Sequence, residues 1–226
     1  NEESGLWASI IFTFSNFILN QRADYLIDLS LTSFSCLSLL FLTKWYLDNK
    51  ANSKYSIFSG ISLGLVFLCK PTGIILFIFP LITILWKTYK SKNSFSTKVS
   101  EILLFQFSFL FIIYPWFSKH WLTIITSTIN AWHWGTNYQE GLDANNLESW
   151  FFYFKKLPSI FGEINFYIFS IVFLLEKIFQ QKNPILIIKK IDLWFLIYFL
   201  NCYLVVSLMS TKDMRFILPL YPVFCI

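Results

Sequence analysis

Charge is what this sequence has least of. Only 14% of its 226 residues are Asp, Glu, Lys or Arg, against roughly a quarter in a soluble domain, which needs them to cover its surface. Glycine is scarce beside the aromatics: seven Gly stand against 27 Phe, too many rings to hide inside one globule of this length. These two shortages exclude a water-soluble domain. No glycine-rich phosphate loop occurs, so nothing indicates nucleotide binding. The four cysteines, Cys36, Cys69, Cys202 and Cys225, sit in apolar segments without paired spacing and read as small core residues, neither disulfides nor metal ligands. His133 is too isolated to suggest a zinc site by itself. Alternation of polar and apolar residues is missing too, which excludes a transmembrane β-barrel.

What is present is apolar: 56% of the residues are hydrophobic and 21% aromatic. A membrane-spanning helix needs about 20 largely apolar residues. Residues 4–20, 25–47, 55–69, 72–86, 102–117, 164–179 and 193–210 meet that requirement to within a few positions, and 216–226 would begin an eighth span. The expected fold is all-α, a polytopic transmembrane helical bundle of about seven to eight segments, with residues 1–226 forming one transmembrane domain. Asn stands at position 1 and the last apolar run stops short of a span, so the chain reads as an internal piece of a longer protein, truncated at both ends.

The connections alternate in charge. One set carries Lys44, Lys50, Lys54, Lys87, Lys90, Lys92, Lys98, Lys177, Lys182, Lys189 and Lys190; the other carries Arg22, Lys70, Lys119, Lys155, Lys156, Lys212 and Arg215. The positive-inside rule puts the richer set in the cytoplasm. This topology accounts for the net charge of +5 without a nucleic-acid partner. The opposite, extracytoplasmic side then holds residues 20–24, 70–71, the long connection 118–163 and 211–215. That connection carries Trp121, Trp132, Trp134, Trp150, Phe151, Phe152, Tyr153 and Phe154 among polar residues. Rings with a polar handle favour the headgroup layer, so one or two amphipathic helices are expected on the membrane surface, near 120–131 and 147–157. A plain aromatic belt without a substrate role is the alternative.

The informative residues are charges placed where charge is expensive, at the outer ends of short spans. Asp24 and Asp28 lie four apart at a helix start, hence on one face and favoured by the helix dipole; Asp24 could also be a simple N-cap. Gly60 and Gly64 allow close helix approach on a segment that ends at Lys70, and Pro71 suits the start of the next helix. Lys70 is either an ammonium at the mouth of a recessed pocket or a snorkelling anchor. Lys212 and Arg215 beside a helix start oppose its dipole, a conflict that an anionic ligand would relieve. Arg215 could grip a phosphate bidentately while Lys212 adds a point charge; the alternative is a pair of solvated charges partly balanced by Asp213. His133, between Trp132 and Trp134, reads as structural before catalytic. Together these residues suit a phosphate-bearing lipid: cations for the headgroup, an apolar groove for the tail.

Several ordered motifs carry a resemblance. Arg22-Ala-Asp24 opens a helix, and Gly60-x-x-x-Gly64 leads to Lys70. Tyr114-Pro115-Trp116 ends a span, Trp150-x-x-Tyr153-x-x-x-Leu157-Pro158 follows, and Lys212-x-x-Arg215-Phe-x-Leu-Pro219 closes the series. In this order they resemble the membrane core of the polyprenyl-phosphate-dependent glycosyltransferases of the GT-C fold, near the protein O-mannosyltransferase and lipid A aminoarabinose transferase group. The resemblance implies a membrane glycosyltransferase that moves a sugar from a polyprenyl-phosphate-linked donor to an acceptor (lipid, glycan or protein) on the extracytoplasmic side. It implies that Lys70, Lys212 and Arg215 contact the donor phosphate. Asp24 would line the same cavity and organise a cation or a sugar hydroxyl, with His133 as a further cavity residue. The acidic general base of the family lies in a first extracytoplasmic loop that would precede Asn1, so no catalytic residue is assigned here and Asp24 does not fill that role.

The expected partners are membrane lipids and the lipid-linked donor. The expected location is the bacterial inner (plasma) membrane, with the basic loops cytoplasmic. The cofactor is open, a divalent cation being the one considered. A secondary transporter or lipid flippase is the competing class, but it calls for inverted repeats and midplane charges, and neither is visible. A structural membrane subunit is the third reading.

Overall fold

The computed structural model describes residues 27–48, 53–91, 93–134, 146–161, 190–209 and 212–220, with positions 5, 6, 10, 163, 166–168 and 171. Among these residues every regular element is helical and there are no strands; short links such as Lys70 and 212–213 join the helices. The order is α1 (Ile27–Leu47), α2 (Ser53–Cys69), a 3-10 helix (Pro71–Phe77) running into α3 (Ile78–Lys90), α4 (Phe95–Trp134), α5 (Leu147–Phe161), α6 (Lys190–Leu208) and a second 3-10 helix (Met214–Leu220). Among the described residues, three helical stretches are long and apolar enough to cross a membrane, Ile27–Leu47, Pro71–Lys90 and Phe95–Ser127, and Ser53–Cys69 and Leu193–Leu208 are shorter apolar helices. The protein is a polytopic α-helical membrane protein. Apart from isolated positions, the expected spans at 4–20 and 164–179 lie outside the described residues.

Successive helices run up and down. Lys87 of α3 donates to the carbonyls of Trp45 (3.5 Å) and Tyr46 (2.6 Å) and to that of Asp48, closing the C-terminal end of α1. Lys70, after α2, meets Asp28 in the first turn of α1. One end of the bundle therefore gathers Lys44, Lys87 and Lys90, and the other gathers Asp28, Lys70 and the 212–215 turn.

In a bilayer, apolar burial does not hold helices together; close packing does, and small residues permit it. A β-carbon added to Gly60 would overlap Ser108 Oγ and the Phe105 carbonyl oxygen of α4, and one on Gly64 would come within 2.9 Å of Ile112. The backbone of α2 thus rests directly on α4. The same helix turns Ser56, Ser59 and Ser62 inward, and α1 buries Thr32, Ser35 and Ser38. These hydroxyls would be costly in an apolar core, and Thr32 and Ser59 return theirs to the carbonyls of Asp28 and Tyr55 one turn earlier. The outer face of α4 carries Leu103, Phe107, Leu110, Phe111 and Tyr114, all well exposed, as a lipid-facing surface requires.

The span expected at 72–86 begins as a 3-10 helix, and α6 supplies the reason. Asn201 donates to the Ile75 carbonyl (3.0 Å) and accepts from the Phe79 backbone N–H (3.3 Å). Its amide takes the place of the bond these two groups would make to each other in an α-helix. Pro80 has no N–H for the Leu76 carbonyl, which accepts from the Cys202 thiol at 3.5 Å. Tyr198 donates to the Pro219 carbonyl (3.0 Å), and Trp194 donates to Thr43 (2.7 Å) and stacks on Tyr46. With these bonds α6 ties both 3-10 helices and α1 into one core.

The span expected to close at Phe117 does not close. Pro115 lies inside α4, which continues to Trp134 over 40 residues, about 60 Å against a hydrocarbon layer of about 30 Å. Proline removes only one backbone donor, and membrane helices tolerate that loss. The helix expected at 120–131 is therefore the continuation of α4, whereas that expected at 147–157 is a separate element, α5. On α5, Ser149, Phe152, Tyr153 and Leu157 are buried, and Leu147, Phe151 and Phe154 are exposed on the opposite side.

Candidate functional site

Local sequence puts Lys70 at the bundle end. α2 has 17 residues, about 26 Å, so its end falls at or just inside a hydrocarbon boundary. Pro71 disfavours helical backbone in the residue before it, and Lys70 is extended, at φ −154° and ψ 111°. Pro71 then starts the 3-10 helix, where its missing N–H costs nothing. The chain turns back there, with Gly73 donating to the Lys70 carbonyl at 2.7 Å. Gly73 is close-packed: a β-carbon would lie 2.8 Å from Leu31 and 2.9 Å from Val66.

From this turn the Lys70 ammonium reaches Asp28 Oδ1 at 3.2 Å, the two side chains being 31% and 7% exposed. Asp28 sits in the first turn of α1, where the helix dipole favours a carboxylate. The ammonium also lies over the Phe216 ring, 4.6 Å from its centroid, within cation–π range. Phe216 belongs to the second 3-10 helix, so Lys70 touches both the α1 start and the 212–220 segment.

That segment starts with a cap. Asp213 accepts from the Arg215 backbone N–H (2.9 Å) and from Arg215 Nε (2.7 Å), and pairs with Nη2 of the same guanidinium. The Asp213 carbonyl accepts from the Phe216 N–H at 3.1 Å. Burial acts to raise the Asp213 carboxyl, but the hydrogen bonds and charge of Arg215, with Lys70 beyond it, hold it below its ordinary range. The Arg215 side chain is 34% exposed.

Lys212 stands apart from its neighbours. It is 1% exposed, and its ammonium donates to the carbonyls of Val206 (3.2 Å) and Ser207 (2.6 Å) at the end of α6. It also lies 5.8 Å from the centre of the Tyr153 ring. Burial lowers its pKa to about 8 and raises that of the Tyr153 phenol, whose hydroxyl lies beside the Asp213 backbone.

Of the residues singled out in the sequence, Lys70, Lys212 and Arg215 belong to one end of the bundle, Lys70 and Arg215 part-exposed and Lys212 enclosed. Asp24 and its neighbour Arg22 lie outside the described residues. His133 falls in the last turn of α4, and its side chain lies outside the described residues. Sequence reasoning singled out Asp28 beside Asp24 without assigning it a contact, and gave no role to Phe216. Asp28 had its signal in a carboxylate one turn inside an apolar span; Phe216 had none beyond its place next to Arg215. Among the described residues, no three His, Cys, Asp or Glu side chains are grouped closely enough to hold a metal ion.

Chemically, among the described residues the rim brings together the cations Lys70, Lys212 and Arg215 and the carboxylates Asp28 and Asp213. The two part-exposed cations come from different elements, and one offers a planar fork of donors. Such an arrangement can exchange carboxylate contacts for those of an anionic oxygen group.

Residues 1–118 match the family described as dolichyl-phosphate-mannose-protein mannosyltransferase. The match includes Asp28 and Lys70 and ends before α5, α6 and the 212–215 turn. No curated protein and no solved structure matches the chain.

Proposed function

The chain belongs to the dolichyl-phosphate-mannose-protein mannosyltransferase family, and on that premise we propose that it forms the membrane core of a GT-C glycosyltransferase. In this reading the protein moves a sugar from a polyprenyl-phosphate-linked donor to an acceptor at the extracytoplasmic face of a bacterial inner membrane. The observation that carries the proposal is the convergence of Lys70 and the Asp213–Arg215 turn, with Lys70 paired to Asp28 at 3.2 Å and seated 4.6 Å from the Phe216 ring centre.

Lys70 and Arg215 bind the donor phosphate. As the bond between the sugar and the phosphate oxygen breaks, negative charge grows on the departing polyprenyl phosphate, and fixed cations stabilise that charge more than the ground state. Asp28 holds Lys70 in place between turnovers, as Asp213 does Arg215. The prenyl chain lies against the apolar exterior of the bundle, which is exposed to lipid along α4. Asp24 and His133 keep the cavity roles that the resemblance implies, and for these two the support is sequence alone. No described residue is assigned as the general base.

The test is a transfer assay on the purified full-length protein with a polyprenyl-phosphate-linked mannose. Lys70→Ala and Arg215→Ala, each expressed at wild-type level, are expected to lower kcat/KM at least about 30-fold, as loss of a hydrogen bond to a charged group of roughly 2 kcal/mol implies. Wild-type transfer in both variants would remove the assignment.

A further inference from the structure

The burial of Lys212 is not explained by a role in touching the donor. Its ammonium is enclosed, with the terminal carbonyls of α6 as its hydrogen-bond acceptors. The carbonyls of a last helical turn have no partner within the helix, and a cation there also meets the negative end of the dipole. The Ser207 carbonyl accepts from Ser149 of α5 as well, at 3.4 Å. Tyr153, one turn along α5, sets its ring beside the ammonium. The residue after Lys212 is Asp213, which caps the second 3-10 helix and grips Arg215 through Nε at 2.7 Å. The side chain of Lys212 thus joins the end of α6, the inner face of α5 and the turn that presents the guanidinium.

We infer that Lys212 is a positioning residue: it locks the Asp213–Arg215 turn onto the ends of α5 and α6, and it affects capture of the lipid-linked donor through Arg215 without contacting the phosphate. The inference rests on the proposed binding of donor phosphate by Lys70 and Arg215. Two requirements follow. Losing Lys212 must matter only while Arg215 is present, and a neutral side chain that still donates to the two carbonyls must largely suffice.

Binding of polyprenyl phosphate, with polyprenol as the control lacking the phosphate, tests both in the full-length protein in detergent micelles. Arg215→Ala is expected to weaken polyprenyl phosphate binding about 30-fold and Lys212→Met about tenfold, with polyprenol binding unchanged. The double variant is expected to bind as Arg215→Ala does, because residues acting through one another are not additive. Lys212→Gln is expected to stay within about threefold of the wild type. Additive losses in the double variant, or a Lys212→Gln loss as large as that of Arg215→Ala, would overturn the inference by indicating a direct phosphate contact. An equal loss of polyprenol binding in Lys212→Met would also overturn it, since the effect would then be a general structural one. If Lys212→Met does not fold, the glutamine variant alone and combined with Arg215→Ala decides by the same criteria. Unchanged binding in both Arg215→Ala and Lys70→Ala is a different result, one that removes the donor-phosphate reading itself.

Discussion

Lys70 Nζ and Asp28 Oδ1 stand 3.2 Å apart, across the open end of the hairpin formed by α1 and α2. Asp28 is the more enclosed partner, so the pair is asymmetric: the carboxylate is held by the fold, and the ammonium retains access to the exterior. Removing the carboxylate leaves a part-buried cation without its counter-charge. Asp28→Asn is expected to lower stability by about 1–3 kcal/mol, read as a lower melting temperature in detergent. A melting temperature equal to that of the wild type would mean that the pair contributes nothing to holding the hairpin.

Asn201 makes a second, independent prediction. Its amide accepts from the Phe79 N–H and gives the Ile75 carbonyl, which also accepts from the Ile78 N–H, a second donor. Asn201→Leu keeps the volume but removes the acceptor of the part-buried Phe79 N–H and leaves the Ile75 carbonyl with the Ile78 N–H alone, at a cost of about 1–3 kcal/mol. Asn201→Asp keeps an acceptor for Phe79 but loses the donor to Ile75. Thermal unfolding of both variants should fall below wild type, and a leucine variant as stable as the wild type would contradict the bridging role.

The pH dependence of stability follows from Lys212. Burial brings its pKa down to about 8 in the folded protein, from an ordinary value of 10.5. Between those values the unfolded chain binds the proton and the folded protein does not, so stability contributed by this residue rises with pH across that window. Below about pH 8 the charge is present in both states and its burial cost is constant. Tyr153 stays neutral there because burial raises its phenol, and Arg215 keeps its charge throughout. Melting curves at pH 7.5 and 9.5 should therefore show a larger gain, or a smaller loss, for the wild type than for Lys212→Gln. Parallel shifts in the two proteins would contradict this assignment.

Much of the bundle was legible because a span announces itself by length and apolarity: α1 and α2 lie within a few residues of their expected bounds. The Gly60 and Gly64 spacing pointed to a close helix contact, though nothing in the sequence named α4 as the partner. The 3-10 start of Pro71–Lys90 was not legible, since it depends on Asn201 and Cys202, distant in sequence and brought alongside only by α6. The length of α4 was misread because a Pro-Trp pair ending an apolar run looks like a stop, whereas in lipid a helix loses little at one proline. At the site, the shared side of Lys70, Lys212 and Arg215 could be read from the alternation of the loops. The enclosure of Lys212 could not, because its neighbours in sequence are part-exposed charges and the ring beside it comes from α5.

The central claim is that the part-exposed cations of this rim, Lys70 and Arg215, hold the anionic headgroup of a lipid. The most direct measurement is a structure of the full-length protein in lipid nanodiscs with polyprenyl phosphate bound. The account predicts phosphate density within hydrogen-bonding distance of both Lys70 Nζ and the Arg215 guanidinium, with the prenyl chain leaving along the bundle exterior. Phosphate density at the opposite end, near Lys87 and Lys90, with Lys70 still on Asp28 and Arg215 still on Asp213, would contradict it.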